Sequence, residues 1–284
     1  SYVLAAAGGS DITLGDAAQN VSTGANGGDT VDFAGFTATG AINTVAADTL
    51  VLDDGANVVA VDADGVVGGA FDANNMTLSG SVTMTVEQHN SVSIAAAGSA
   101  DKITLSNFGT LAGDGDVESY EIVAGSDFTL GGVAQNVTEI QTGAQNAVST
   151  LTFGSGAYSG VFAGFGALDQ LKVVNGTDIS GATGLTDGEI DFADGTATVT
   201  LNAAQNGFLT IRADGADSGV QTIVVDVMGT FTGDANVENY STTAGSIFTL
   251  GSLSQNATEI GTEANSTVVF SAGAYTGSLT DFDA

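Results

Sequence analysis

Apolar and polar residues alternate along this chain in short bursts with a period of two. Asp48-Thr-Leu-Val-Leu52, Val82-Thr-Met-Thr-Val86, Lys102-Ile-Thr-Leu105, Ala197-Thr-Val-Thr-Leu201 and Thr222-Ile-Val-Val-Asp226 all show it. Each reads as a strand of about five residues, and the bursts recur about every ten residues, the signature of many short strands joined by tight turns. No stretch sustains a helical period, and the glycine and β-branched content penalises helix. The chain is expected to be all-β. With 41 glycines and no proline, its turns must rest on Gly, Asn and Asp, which tolerate positive φ.

A longer period overlies the short one. Ile12-Thr-Leu-Gly-Asp-Ala-Ala-Gln-Asn20 recurs as Phe128-Thr-Leu-Gly-Gly-Val-Ala-Gln-Asn136 and as Phe248-Thr-Leu-Gly-Ser-Leu-Ser-Gln-Asn256, at spacings of 116 and 120 residues. Gly113-Asp-Gly-Asp-Val-Glu-Ser-Tyr120 matches Gly233-Asp-Ala-Asn-Val-Glu-Asn-Tyr240, and Ser1-Tyr2 matches the end of that block. Thr150 to Gly160 pairs with Val268 to Gly277, and all five tyrosines fall at two repeat positions. Repeat units are therefore expected at 1–118, 119–238 and 239–284, the last incomplete. The chain is expected to be a section of a longer array, or one completed by neighbouring subunits.

Two architectures fit such a repeat. A parallel β-solenoid stacks short strands so that each turn buries its neighbour's face, and tandem β-sandwiches would give units of similar length. The absence of Trp and Pro, the small core residues and the frequent turns favour the solenoid.

Charge narrows the function. Only Lys102, Lys172 and Arg212 oppose 33 carboxylates, for a formal charge of −30. Such a surface repels nucleic acid and anionic lipid, whose recognition needs clustered cations. An apolar content of 43% with positive mean hydropathy argues against disorder. The chain has no cysteine, hence neither disulfides nor thiolate metal sites. No apolar run is long enough to span a bilayer, and Ser1-Tyr2-Val3-Leu4 carries no basic leader region. Bound cations would relieve the self-repulsion. Calcium is the expected one, because carboxylates and carbonyls are its preferred ligands.

The foremost metal candidate is Asp114-x-Asp116-x-Glu118, matched by Asp234-x-Asn236-x-Glu238. Alternate oxygen-bearing side chains in a glycine-rich turn can converge on one hard cation; the same residues also read as a solvated acidic turn before a strand. Asp29 and Asp32 rank next. Asp62 with Asp64, and Asp214 with Asp217, form weaker clusters that read as solvated turns.

Gly24-Ala-Asn-Gly-Gly-Asp-Thr-Val-Asp-Phe33 resembles a degenerate copy of the glycine-aspartate nonapeptide of RTX proteins, and Gly8-Gly-Ser-Asp-Ile12 is a weaker one. Ala100 to Phe108 and Thr280 to Ala284 are similar to segments that flank such repeats. The texture, rich in Gly, Ala, Thr and Val, also resembles RTX-type surface-layer proteins and large adhesins. Unlike that family, the chain has no uninterrupted tandem of nonapeptides, so the expectation is a calcium-decorated solenoid rather than an ordinary calcium β-roll. The resemblance implies calcium-dependent folding, type I secretion with a signal outside this chain, and assembly at the cell surface.

Other repeated residues have plainer readings. Asn20, Asn136 and Asn256 each open an Asn-x-Ser/Thr sequon, the form of a glycosylation acceptor, but a turn Asn bonding its own backbone is the preferred reading. Tyr2, Tyr120 and Tyr240 read as packing residues with the hydroxyl at an edge. His89, the single histidine, lies in Glu87-Gln-His-Asn90 where the next repeat has Ala203-Ala-Gln-Asn206. It reads as an exposed histidine in a polar turn and not as part of a repeated site.

No activated nucleophile or distinctive acid–base pair stands out. Three scattered cations do not suit a polyuronate lyase, and the lack of Trp removes the usual sugar platforms. Self-association into a surface layer or filament is therefore expected, built through exposed solenoid ends or edge strands. A rigid spacer in a giant adhesin is the alternative. A carbohydrate- or ice-binding module, suggested by Thr83/Thr85 and Thr198/Thr200, is a third.

Overall fold

The computed structural model describes all residues except 5–7, 64, 74, 97, 99, 141–146, 194–195, 213–219, 262–264 and 283–284. Its strands are two to five residues long, and their inward residues are the apolar ones of the two-residue alternation. In Thr49–Leu52 the side chains of Leu50 and Leu52 are buried while Thr49 and Val51 are half-exposed. A five-residue strand cannot bury a core alone. The next copy of the pattern must lie beside it, and the chain supplies that copy one turn later. The result is a parallel β-solenoid of about 13 turns.

The chain divides into two compact units, Ser1–Ala147 and Val148–Ala284. In the first, Asp11–Thr13, Thr30–Asp32, Thr49–Leu52, Asn75–Leu78 and Ser93–Ala96 form one parallel sheet in sequence order. Ser81–Met84, Lys102–Leu105, Ser119–Val123 and Asn136–Ile140 form a run of a second. Register stacks like on like. Val31, Leu50, Met76 and Ile94 make one internal column, and Val82, Ile103, Tyr120 and Val137 another. In the second unit, Thr198–Leu201, Thr222–Val225, Asn239–Thr243 and Asn256–Ile260 stack in the same manner. Fully burying a side chain of this size contributes about 1.5–3 kcal/mol, so the columns supply the main cohesion.

Parallel pairing rules out the tandem β-sandwich, whose sheets are antiparallel. Among the described residues, the one antiparallel pair is Asp62–Ala63 with Val66–Val67, a small hairpin beside the stack. The sequence repeat and the compact division are different partitions: the break at Ala147 falls within the second repeat.

Two features escaped the strand pattern. Val86–Asn90 and Ala203–Phe208 are single-turn helices, here α1 and α2. Each is nucleated by a capping box, Thr85 with Gln88 and Asn202 with Gln205, in which side chain and backbone satisfy one another reciprocally. They cap the ends of strands and are too short to show a period.

Candidate functional site

The repeated Thr-Leu-Gly-x-x-x-Gln-Asn motif forms a buried corner clamp. In the first unit, Gln135 accepts from the Gly131 N–H at 3.0 Å, and its Nε2 donates to the carbonyls of Asp114 and Val117, both at 2.8 Å. Gln255 repeats this in the second unit, with Gly251 at 2.9 Å and the Asp234 and Val237 carbonyls at 2.7 Å. One amide thus satisfies its own turn and two carbonyls of the turn before, from a buried position. The motif glycine is forced by the same contact. A Cβ on Gly131 or Gly251 would lie 2.0 Å from the carbonyl oxygen of Gly113 or Gly233. Gln88 and Gln205 of the capping boxes act alike, with Nε2 on Val58 O in one unit and on Ile179 O and Ala182 O in the other.

The repeated tyrosine completes the corner. The Tyr120 hydroxyl accepts from the Asp114 N–H at 2.8 Å and lies 3.0 Å from His89 Nε2. The Tyr240 hydroxyl accepts from the Asp234 N–H at 2.8 Å and donates to Asn206 Oδ1 at 3.3 Å. Burial raises the pKa of both phenols well above the ordinary tyrosine value, so they stay neutral donors. Tyr2, the first copy of the position, is 48% exposed.

His89 departs from its sequence reading. It is buried in α1 rather than exposed in a turn, and it is a member of a repeated site, because Asn206 of α2 approaches the equivalent tyrosine. Matching Glu87–Asn90 to Ala203–Asn206 sets His89 against Gln205; the two helical turns pair it instead with Asn206, one residue on, and explain why that position faces inward.

The proposed metal ligands are placed apart. The Asp114 carboxylate accepts from the Asp116 N–H, a local Asx turn, while Asp116 points to solvent. The Glu118 carboxylate reaches the preceding turn and accepts from the Asp101 N–H at 2.9 Å. In the second copy, Asp234 accepts from Asn236 N–H, Asn236 donates to Ile211 O, and Glu238 accepts from Gln221 N–H. Neither set converges, and among the described residues no three His, Cys, Asp or Glu side chains are grouped to hold a metal ion. As placed, neither triplet forms the cation site that its spacing suggested.

Asp29 has a different task. It is fully buried, with its carboxylate accepting from the N–H groups of Ser10 at 2.8 Å and Gly24 at 3.0 Å. These backbone donors, Ser10 foremost, hold its pKa below the ordinary carboxylate value against the opposing effect of burial. The nonapeptide-like segment is therefore a capped corner. Asp48, Asp101 and Asp169 act alike, each buried and each accepting a backbone N–H three residues earlier and another from the preceding turn or a neighbouring corner. Sequence reading missed these three, although each directly precedes a strand. Asp32, half-buried, accepts from Thr13 Oγ1 and Ala34 N–H. Asp62 opens the hairpin, whereas Asp64, Asp214 and Asp217 lie outside the described residues.

The remaining repeated polar residues also face backbone. Asn20 and Asn256 accept from the N–H of Ala41 and Ser278 in the following turn, rather than from their own backbone. Asn256 Nδ2 donates to Asn239, and Asn136 begins a strand. Thr85 is a buried N-cap, so Thr83/Thr85 is not a surface pair. Thr198 and Thr200 face outward, but the column beyond Thr200 continues with Val224. Lys102 pairs with Glu121 and Arg212 with Glu189 across adjacent strands. The Lys102 hydrogen bond lowers the Glu121 pKa.

A shallow groove of about 560 Å³ lies between the hairpin and α1, lined by Val59, Val66, Val67, Thr85, Glu87 and Asn107 among others. Among the described lining residues Glu87 is the single ionisable one, and the hydrogen bond from the Asn107 amide lowers its pKa. Compared with known proteins, the chain matches no family model, no curated protein and no solved structure. Among the described residues, no helix is long and apolar enough to cross a membrane.

Proposed function

We propose that the chain is a non-enzymatic structural element of an extracellular surface layer or filament. One observation carries this reading. Gln135, Gln255, Tyr120, Tyr240, Asn20, Asn256 and the buried corner aspartates are engaged by backbone groups of their own or the neighbouring turn, so the repeat propagates a scaffold rather than a reactive constellation. Enzymatic repeats would be expected to keep polar groups unengaged and directed at a cleft.

Self-association follows from the same construction. The strand Thr267–Val269 exposes Val269 and leaves Phe270 beside it exposed, although their counterparts Thr152 and Phe153 lie in a strand region whose phenylalanine is fully buried. Tyr2 and Val3 are exposed in the first strand. A further turn of solenoid, of the same chain or of another copy, would bury these core-type residues by parallel pairing. Calcium acts in this proposal as a counterion that screens the charge of −30 between approaching copies, not as a ligand of the Asp114 or Asp234 turns. The resemblance to RTX-type surface proteins supports the extracellular placement.

Electron microscopy of the purified chain tests the proposal. Ordered sheets or filaments on adding calcium, lost on chelation, are expected. Monodisperse particles under both conditions would favour the spacer role and overturn self-association.

A further inference from the structure

We propose that His89 is an acid-sensitive latch that loosens the first unit at mildly acidic pH while the second unit, which has Asn206 in its place, stays closed. Hydrogen-bond satisfaction assigns the proton positions. The Tyr120 oxygen already accepts the Asp114 N–H, so its own hydrogen is free to go to His89 Nε2 at 3.0 Å. His89 Nδ1 then carries the ring proton and donates to Asn90 Oδ1 at 3.3 Å. This assignment satisfies every group of the network with a neutral imidazole.

A second proton has no good place. Placed on Nε2, it would oppose the phenol hydrogen. The phenol would have to turn that hydrogen away, into a position with no acceptor in the network, and a cation would be left in a site that is 5% exposed. Burying an unpaired charge or an unsatisfied polar hydrogen is costly. The surrounding charges do not rescue it. α1 brings Glu87, which is exposed and held by Asn107. The strand Thr110–Ala112 packed on α1 brings no ionisable group. Ser119–Val123 brings Tyr120, and Glu121 on its outer side paired with Lys102. Asp114 attracts the proton, but burial is the larger effect and holds the His89 pKa below its ordinary value.

The linkage has a definite sign. A histidine whose folded pKa is depressed contributes stability that is whole above the unfolded value of 6.5 and is lost as pH falls toward the folded value. The second unit forms the same corner with Asn206, whose Oδ1 accepts from Tyr240 and whose Nδ2 donates to Thr232 O. That amide does not titrate. The repeat therefore contains a latched copy and its own non-titrating control.

The test uses the 284-residue chain, whose single histidine gives an unambiguous NMR signal. The ring resonance of His89 should titrate with a midpoint below 6.5 in the native protein and near 6.5 in denaturant. Lowering the pH from 7.5 to 5.5 should reduce the urea midpoint of the parent more than that of His89→Asn. A native midpoint at or above 6.5 overturns the latch, as does an equal loss of urea midpoint in parent and variant. If His89→Asn fails to fold, the NMR titration of the parent decides alone.

Discussion

Replacing Gln255 by alanine should be among the most damaging single changes in the chain, and its cost can be built from the geometry. Gln255 is 1% exposed and makes three hydrogen bonds, to Gly251 N–H, Asp234 O and Val237 O. Each bond contributes about 1 kcal/mol net, and each buried group left without a partner costs about 1–3 kcal/mol. Water entering the vacated space recovers part of that, so a loss of about 3–5 kcal/mol is expected, against a typical total stability of about 5–15 kcal/mol. Gln135→Ala should cost the same, because Gln135 makes the same three bonds. Gln19 holds the same motif position but is half-exposed, with its side-chain bond to Gly15 N–H, and Gln19→Ala should cost under about 1 kcal/mol. Urea denaturation followed by circular dichroism and tyrosine fluorescence measures all three. A cost under about 1 kcal/mol for Gln255→Ala, or equal costs for the three variants, would refute the clamp.

Further outcomes follow from neighbouring groups. Asp101→Asn replaces one of two acceptors that face backbone N–H groups with a donor, and should lower stability by about 2–3 kcal/mol in a urea titration. Asp116→Asn, at an exposed position, should leave the same titration unchanged. Asp29 has a depressed folded pKa, so the stability it contributes is whole above its unfolded value of 3.8 and disappears as pH falls below it. Asp29→Asn should therefore flatten the acid limb of the melting profile near that pH. The triple variant Asp114→Asn, Asp116→Asn, Glu118→Gln should leave any calcorimetric response to calcium nearly unaltered, and abolition of that response would restore the turn as a metal site.

Strands were legible in the sequence because a two-residue alternation reports directly which side chains point inward, as in Thr49–Leu52 and Thr198–Leu201. Stacking was legible through the long repeat, since only a copy one or more turns away can occupy an equivalent environment. The polar sites were harder. Asp114, Asp116 and Glu118 have the spacing of a cation site, but spacing along a chain does not say where a side chain turns, and backbone donors at both ends of the turn compete for the same oxygens. Gln135 was visible as a repeated letter without a reason, because its partners lie 18 and 21 residues away. His89 was misplaced because a one-turn helix leaves no periodicity, only the Thr85–Gln88 capping pair.

Positions where the two copies of a corner differ are the informative ones, since the scaffold itself tolerates either residue there. Asn206→His makes that argument testable in full. Gln205 and Tyr240 already hold the geometry that Gln88 and Tyr120 hold around His89. An imidazole introduced beside Tyr240 would accept the phenol hydrogen that Asn206 Oδ1 now accepts. It would forfeit the amide's bond to Thr232 O, so a modest loss of stability at neutral pH, about 1 kcal/mol, is expected. Its diagnostic property is pH dependence: a second ring resonance should titrate below 6.5 in the native state, and the second unit should become acid-labile. Stability of the variant would then fall between pH 7.5 and 5.5 by more than that of the parent. If the new resonance titrates at the ordinary histidine value, the two corners are not equivalent pockets, and burial beneath the repeated tyrosine is not what makes His89 sensitive to acid.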